Sequence, residues 1–143
     1  MRKLLSPLSV VGLFAAVWIV CQAAGGADQV QKKERVFELR TYVTHPGRLA
    51  DLNKRFREHT CRLFQKHGIE LVGFWTPTDG PQAEDTLIYV VAFPSLEARE
   101  KAWKAFKDDP EWKKAFAESH KSGVIVKQIE SRLMKPTDYS PIR

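Results

Sequence analysis

Two segments of the sequence decide the fold: residues 36–47 read VFELRTYVTHPG, and residues 68–76 read GIELVGFWT. Apolar and polar residues alternate over 36–42, which predicts a strand with Phe37 and Leu39 on one face. The opposite face of this strand carries Glu38, Arg40 and Tyr42. The sequence His-Pro-Gly then ends the strand, because proline and glycine interrupt regular structure.

A helix is predicted between the two segments. Its apolar stripe recurs at helical spacing through Leu49, Leu52, Phe56, Leu63 and His67. Gly68 follows as a C-terminal stop, and Leu71–Thr76 is predicted to form the second strand. Residues 86–93 are apolar on both faces, which is typical of a central strand with cover on each side.

The second half of the chain repeats this plan. A helix is predicted around Leu96, Trp103 and Phe106, and a second one is predicted to begin at Asp109 as N-cap with Pro110 at its first position. A strand over 124–134 closes the unit, with one polar face formed by Gln128, Glu130 and Arg132. The order predicts a ferredoxin-like βαββαβ fold of the α+β class with an antiparallel four-stranded sheet.

The same pattern predicts a homodimer. In this fold both helices cover one face of the sheet, and the other face is bare. Leaving one side of residues 86–93 in water would expose an apolar patch of roughly several hundred Å², a size that marks interfaces. A second copy pressing the same face against it solves the problem, because a two-fold contact uses one patch twice. The expected assembly is a dimeric α/β barrel.

The N-terminus has the layout of a secretory signal. Arg2 and Lys3 precede an apolar run from about Leu8 to Val20, and small residues follow. The run is shorter than the about 20 apolar residues of a permanent membrane span. The predicted organisation is a signal peptide and cleavage region over 1–27, a short linker over 28–34 and a ferredoxin-fold domain over 35–143. Export to the periplasm or the medium follows; the alternatives are an uncleaved signal anchor and a lipoprotein acylated on Cys21.

The composition favours a globular domain and argues against nucleic-acid binding. Hydrophobic residues make up 43% of the chain and charged residues 28%, as in folded proteins. The net charge is +6, but the cations alternate with acids along the helices rather than sharing one face. Removal of the predicted signal leaves Cys61 as the one cysteine, so no intrachain disulfide is expected. No spacing of ligating residues predicts a metal site.

The polar residues of the first and last strands are the candidates for a site. If two bare sheet faces enclose a barrel, both polar stripes point into it, and opposite charges pair across the neighbouring strands. A buried Arg40 requires an acid partner, for which Glu130 or Glu38 is predicted. The alternative is a polar network between subunits that holds no ligand.

A ligand pocket in this barrel would combine cations with aromatic walls. Arg40 or Arg132 would hold an anionic or carbonyl group, while Trp75 and Tyr89 form the walls. The candidate pocket comprises Glu38, Arg40, Tyr42, His59, Trp75, Tyr89, Gln128, Glu130 and Arg132. The remaining aromatic residues, which are interpreted as core under the helices, are Trp103, Trp112 and Phe116.

His59 lies on the edge of the first helix's apolar stripe and could face the sheet. A histidine beside a pocket can act as acid, base or haem ligand, because its charge changes near neutral pH. Packing at the edge of the core is the alternative. No cofactor is predicted from the residues.

Five segments resemble the NIPSNAP family. They are ELRTY at 38–42, the Pro-Gly pair at 46–47, LVGFWT at 71–76, DPEW at 109–112 and SRLMKPTDYSP at 131–141. The resemblance covers nearly the whole mature chain and implies a dimeric α+β barrel, a group that includes small monooxygenases, muconolactone isomerase-like proteins and haem-degrading enzymes. The family itself has no firmly assigned reaction, and its animal members are linked to mitochondria and vesicles.

Two functions of different class are consistent with the sequence. The first is an exported homodimeric domain with a binding or structural role that holds a small ligand in the barrel. The alternative is a small enzyme of the dimeric barrel type, either cofactor-independent or haem-using and similar to a monooxygenase. Uptake of haemin with a Soret band that depends on one histidine would distinguish them.

Overall fold

The protein is described by a computed structural model over residues 35–142. The predicted signal segment and the whole of the predicted linker lie outside these residues. The strands are β1 (Val36–Thr44), β2 (Glu70–Trp75), β3 (Thr86–Phe93) and β4 (Val126–Met134). The helices are α1 (Leu49–Arg55), α2 (Cys61–Lys66), α3 (Leu96–Asp108) and α4 (Pro110–Ser119), with a π-helical turn over Phe56–Thr60 and a 3₁₀ turn over Pro81–Glu84.

The four strands form one antiparallel sheet in the order β2-β3-β1-β4. This order and the alternation of strands and helices confirm the predicted ferredoxin-like α+β fold. The strand that is apolar on both faces, β3, lies between β2 and β1, as its composition predicts. The helices cover one face of the sheet, which we call the helix-facing side, and we call the opposite side the open face.

The first helix contains a π turn that changes which residues it buries. The segments α1, the π turn and α2 follow one another without a break, and Cys61 N donates to Phe56 O, five residues back. The Thr60 hydroxyl donates to the Arg55 carbonyl oxygen at 3.2 Å. Under α winding of about 100° per residue, His59 would lie about 60° from Phe56. The wider π turn moves it further round, so Thr60 is buried instead and His59 is 41% exposed.

The core lies between the helices and the helix-facing side of the sheet. Phe64 is 1% exposed, and its ring contacts four other aromatic rings. The buried cluster comprises Leu52, Phe56, Leu63, Phe64, Ile69, Leu87, Tyr89, Val91, Phe93, Ala102, Trp103, Phe106 and Ile125. Cys61 is half-buried beside this cluster, and burial raises the pKa of its thiol.

Asp109 links the C-terminal end of α2 to the start of α4 through its side chain. Its carboxylate caps α4 by accepting from Glu111 N at 2.7 Å, with Pro110 at the first helical position, as the sequence predicts. The other carboxylate oxygen lies 2.7 Å from both Lys66 Nζ and His67 Nε2. Hydrogen bonds from these two side chains lower the pKa of Asp109 to about 2.

Replacing Asp109 by alanine should lower the melting temperature by roughly 4–8 °C, because an N-cap and two ionic contacts are lost together. Asp109→Asn keeps the capping oxygen and should recover part of the loss. Thermal unfolding followed by circular dichroism measures both. Equal melting temperatures for the alanine variant and the wild type would show that the cap contributes nothing.

The register of the sheet corrects one sequence-based expectation. Glu38, Arg40 and Tyr42 face the helices and not the open face, since Glu38 accepts from the Trp103 indole of α3 and Tyr42 packs on Phe56. In β4 the expected stripe is on the open face: the residues directly opposite Val43, Thr41 and Leu39 are Gln128, Glu130 and Arg132. The two polar stripes are therefore on opposite faces and cannot line one barrel.

The open face carries apolar residues from three strands, including Leu39, which the sequence pattern predicts on the opposite side from the barrel. Ile88 and Val90 of β3 are half-buried, and Leu39 of β1 lies opposite Val90. Trp75 is 54% exposed, and its ring lies across Gly73 at a distance that leaves no room for a Cβ atom. Within the described residues, no helix is both long and apolar enough to cross a membrane.

Candidate functional site

A cavity of about 900 Å³ opens between the helices and the helix-facing side of the sheet. Its inner wall comes from β1, the end of α1, the π turn and α3, and its mouth comes from α4 and the start of β4. Its cationic and aromatic lining includes Arg40, Tyr42, Arg55, Phe56, Arg99, Trp103, Trp112 and Phe116. The cavity is within the range of volumes typical of small-molecule sites.

A buried carboxylate organises the inner wall. Glu38 is 0% exposed and holds five hydrogen bonds with four partners. The donors and distances are Arg40 Nη1 at 2.7 Å, Arg99 Nε at 2.7 Å, Arg99 Nη2 at 3.1 Å, Trp103 Nε1 at 2.8 Å and Ser131 Oγ at 2.5 Å. This network ties β1 to α3 and β4, and it fixes two arginines at the cavity wall.

Stability should fall in acid because of Glu38. Burial opposes its ionisation, but the hydrogen bonds from Arg99, Ser131, Trp103 and Arg40 outweigh burial and lower its pKa from 4.5 to about 2.

Ionised Glu38 therefore contributes its full stabilisation of the folded state above pH 4.5, and this contribution is lost as the pH falls towards 2. Allowing for solvent screening, we expect the free energy of unfolding to drop by roughly 2–3 kcal/mol over this window from Glu38. Urea denaturation at several pH values measures it, and Glu38→Gln should show a shallower acid loss than the wild type.

The guanidinium of Arg40 packs against aromatic rings, and its Nε has no hydrogen-bond partner. Its guanidinium lies 4.7 Å from the Trp103 ring centroid and 5.5 Å from that of Tyr42. Nη1 is paired with Glu38, and Nη2 donates to Tyr42 Oη at 3.4 Å, but the buried Nε has no partner. The predicted ion pair between Arg40 and Glu38 is present in the structure. The alternative prediction, a pair with Glu130, is wrong because Glu130 lies opposite Thr41, on the other face of the sheet.

Arg55 is the second cation of the wall, and it is 4% exposed. Nη1 donates to Ser119 Oγ at 3.1 Å, and the guanidinium lies 5.5 Å from the Trp112 ring centroid and 5.4 Å from that of Phe116. Its buried Nε has no hydrogen-bond partner, and no described carboxylate forms an ion pair with it. Burial lowers the pKa of Arg55, which is the signature of a cation without an acid partner.

Two tyrosines lie between these arginines. Tyr89 is fully buried and donates its hydroxyl proton to Tyr42 Oη at 3.1 Å. Burial raises the pKa of Tyr89, so it remains protonated. Tyr42 faces the cavity, and its oxygen accepts from both Tyr89 and Arg40.

The structure brings together some of the predicted site residues and separates others. Arg40 and Tyr42 line the cavity, with Glu38 and Tyr89 directly behind its wall. Gln128 also borders the cavity, because it lies on the edge strand β4, although its register partner Val43 is on the open face. His59 borders a smaller depression of about 270 Å³ between the first helix and α4. On the open face, away from the cavity, are Trp75, Glu130 and Arg132.

The sequence reasoning missed the residue that most distinguishes the site. Arg55 lies three residues after Leu52 and next to Phe56, so a charge falls on the buried stripe of an amphipathic helix. A charged residue on the buried stripe of a helix is the sequence feature that could have identified Arg55 as a site residue. Trp103 is buried as expected, and Trp112 is half-buried, packing against the core as well as lining the cavity. Phe116 is 44% exposed and forms a cavity wall rather than core.

The cavity combines positively charged guanidinium groups with walls of aromatic rings. One carboxylate, Glu38, is shared by Arg40 and Arg99, and Arg55 adds a third guanidinium. The cavity therefore carries excess positive charge at its inner end. Among residues 35–142, no group of three or more His, Cys, Asp or Glu side chains is placed to hold a metal ion.

Fold and site together define a ferredoxin-like α+β domain with a cationic, aromatic-walled cavity beneath its helices. The NIPSNAP family profile matches residues 37–141, and the chain belongs to the NIPSNAP family. This confirms the resemblance seen in the sequence. None of the curated proteins compared with the chain matches it.

Solved structures share the fold. A NIPSNAP family protein of unknown function from Agrobacterium tumefaciens is 24% identical, with a TM-score of 0.68 over 78% of this chain and 96% of that one. An uncharacterised NIPSNAP-like domain protein from Burkholderia xenovorans is 16% identical, with a TM-score of 0.67 over 76% and 90%. SnoaB, a cofactor-independent oxygenase from Streptomyces nogalater, is 13% identical, with a TM-score of 0.52 over 76% and 98%.

Proposed function

We propose that this protein is an exported, homodimeric NIPSNAP domain that binds a small molecule in the cavity between its helices and its sheet. The observation that carries the proposal is the buried Arg55, which lines this cavity among aromatic rings without an acid partner. A buried cation is costly unless it is paired. A protein that retains one beside a cavity of about 900 Å³ has a site poised for a ligand.

The site supports binding more directly than catalysis. The wall offers guanidinium groups, the Tyr42 phenol and indole rings, which position a ligand. The imidazole of His120 also lines the cavity, and its Nδ1 lies 2.7 Å from the Phe116 carbonyl oxygen. His59, the histidine considered as an acid, base or haem ligand, lies outside this cavity. A binding role therefore has more support from the described residues than the haem-using enzyme considered above.

A fragment screen by heteronuclear NMR tests the binding site. The indole signals of Trp103 and Trp112 should shift when a fragment enters the cavity, because both side chains line it. Trp75 is the internal control, since its indole lies on the open face. Fragments that shift only Trp75, or a broad library that shifts no cavity signal, would contradict the proposal.

The homodimer is proposed to form through the open face. Val90 lies on this face, whereas Val91 is fully buried on the helix-facing side. Val90→Asp should therefore give a folded monomer or aggregate by light scattering at micromolar concentration, and Val90→Ile should remain dimeric. A wild-type protein that is monomeric and fully stable would refute this part of the proposal.

Export is proposed from the sequence of the first 27 residues alone. Intact-mass measurement of protein purified from its native envelope should lack this segment. Full-length protein retained in the membrane would contradict cleavage.

A further inference from the structure

The polar side chains at the inner end of the cavity offer more hydrogen-bond donors than hydrogen-bond acceptors. Arg40 and Arg55 each keep a buried Nε without a hydrogen-bond partner. The two described carboxylates on the cavity lining, Glu100 and Asp108, are exposed at the surface, and Asp108 is paired with Lys104 at 2.6 Å. The inner wall thus favours a ligand that brings acceptors and negative charge.

Tyr42 adds a neutral donor to this wall. Its oxygen accepts one hydrogen bond from Tyr89 and one from Arg40, which uses its accepting capacity. The proton of Tyr42 itself makes no hydrogen bond with the described residues, and Tyr42 lines the cavity. This hydroxyl can therefore donate to a ligand oxygen.

The walls next to these donors are flat and apolar. Trp112 and Phe116 flank the Arg55 guanidinium, and Phe56 closes the wall beside Tyr42 with its ring centroid 6.0 Å away. Aromatic rings in such positions favour a planar, apolar ligand body by stacking or edge contacts. A ligand that fits has a small anionic head and a larger apolar body.

We propose that the cavity binds an aromatic or similarly apolar carboxylate, with its carboxylate held by Arg55 and Tyr42 and its body against Trp112 and Phe116. This inference rests on the proposed binding function and names its ligand class. A guanidinium matches a planar carboxylate with two parallel N–H donors, whereas a single ammonium does not. Arg55 is the residue that sets the preference for an anion, because it is the buried cavity cation that lacks an acid partner among the described residues, whereas the lining lysines Lys107 and Lys127 are exposed to solvent.

Matched probes with one ring system separate charge recognition from simple apolar binding. Naphthalene-2-carboxylate, naphthalene-2-carboxamide and naphthalene-2-methanol share a body and differ in the head group. Calorimetry on the purified protein should show the carboxylate binding roughly 10- to 100-fold more tightly than the amide. The preference should shrink with added salt, since it depends on charge.

Arg55→Met should remove the preference for the carboxylate and leave the affinity for the two neutral probes within about threefold. The matched control is Arg57→Met, which removes an exposed arginine from the adjoining π turn and should keep the preference. Without ligand, Arg55→Met should melt no lower than the wild type, because it removes a buried cation that has no acid partner. Tyr42→Phe is a second variant if Arg55→Met fails to fold, and it should weaken carboxylate binding alone.

The outcomes separate the two proposals. Equal binding of all three probes, with shifts of the Trp103 and Trp112 signals, would overturn the carboxylate assignment and leave the binding function intact. Tighter binding of naphthyl phosphate than of the carboxylate would also overturn it. If no probe shifts a cavity signal, the binding function itself fails.

Discussion

Replacing Glu38 by alanine is expected to lower the free energy of unfolding by about 3–5 kcal/mol, because one partner of a buried ionic network is removed. Arg40, Arg99 and the Trp103 indole would then lose their common acceptor. Two cations would remain at the cavity wall without the carboxylate that holds them. Urea denaturation at neutral pH measures the loss.

Glu58→Ala is the matched control for Glu38. It removes a carboxylate of the same size from an exposed position on the π turn and should change the free energy of unfolding by no more than about 0.5 kcal/mol. Similar losses for the two variants would mean that the buried network contributes no more than a surface charge. That result would contradict the role assigned to Glu38.

The second large effect is expected at Phe64, the ring at the centre of the core. It is 1% exposed and lies 4.8 Å from Phe106, 5.2 Å from Trp103 and 6.0 Å from Tyr89, measured between ring centroids. Phe64→Ala should cost about 3–5 kcal/mol, since the lost burial adds to the cost of the space left behind. Because Phe64 also borders the cavity, the variant should have a larger cavity that admits water.

An exposed aromatic residue provides the comparison for Phe64. Tyr139 is 83% exposed, and Tyr139→Ala should leave the free energy of unfolding nearly unchanged. Chemical denaturation of both variants measures the difference. A Phe64→Ala variant as stable as the wild type would show that the helices repack over the gap, which close packing of this kind opposes.

The elements of the fold could be predicted closely because they depend on local patterns. The strand at 86–93 has the predicted bounds, and β1 begins at the predicted residue and continues two residues further. The last strand begins at Val126 rather than Val124. Asp109 and Pro110 mark the start of α4 through a side-chain cap, which is also a local interaction.

The face on which each strand residue lies was harder to assign. Alternation correctly separates Glu38, Arg40 and Tyr42 from their neighbours, but the same pattern is compatible with either side of the sheet. A polar stripe facing the helices looks improbable from sequence, since it buries charge. It is stable here because α3 brings Arg99 and Trp103 to the carboxylate of Glu38, and that contact joins residues more than sixty positions apart.

The sequence by itself determined the order and type of the elements, the ferredoxin-like fold and the family, because periodicity, turn residues and motifs are properties of neighbouring positions. The tertiary structure decided the site. The π turn exchanged His59 for Thr60 on the buried side, and packing of α4 enclosed Arg55 between Trp112 and Phe116. Burial and the lack of an acid partner depend on which distant groups approach a side chain, and no local pattern encodes them.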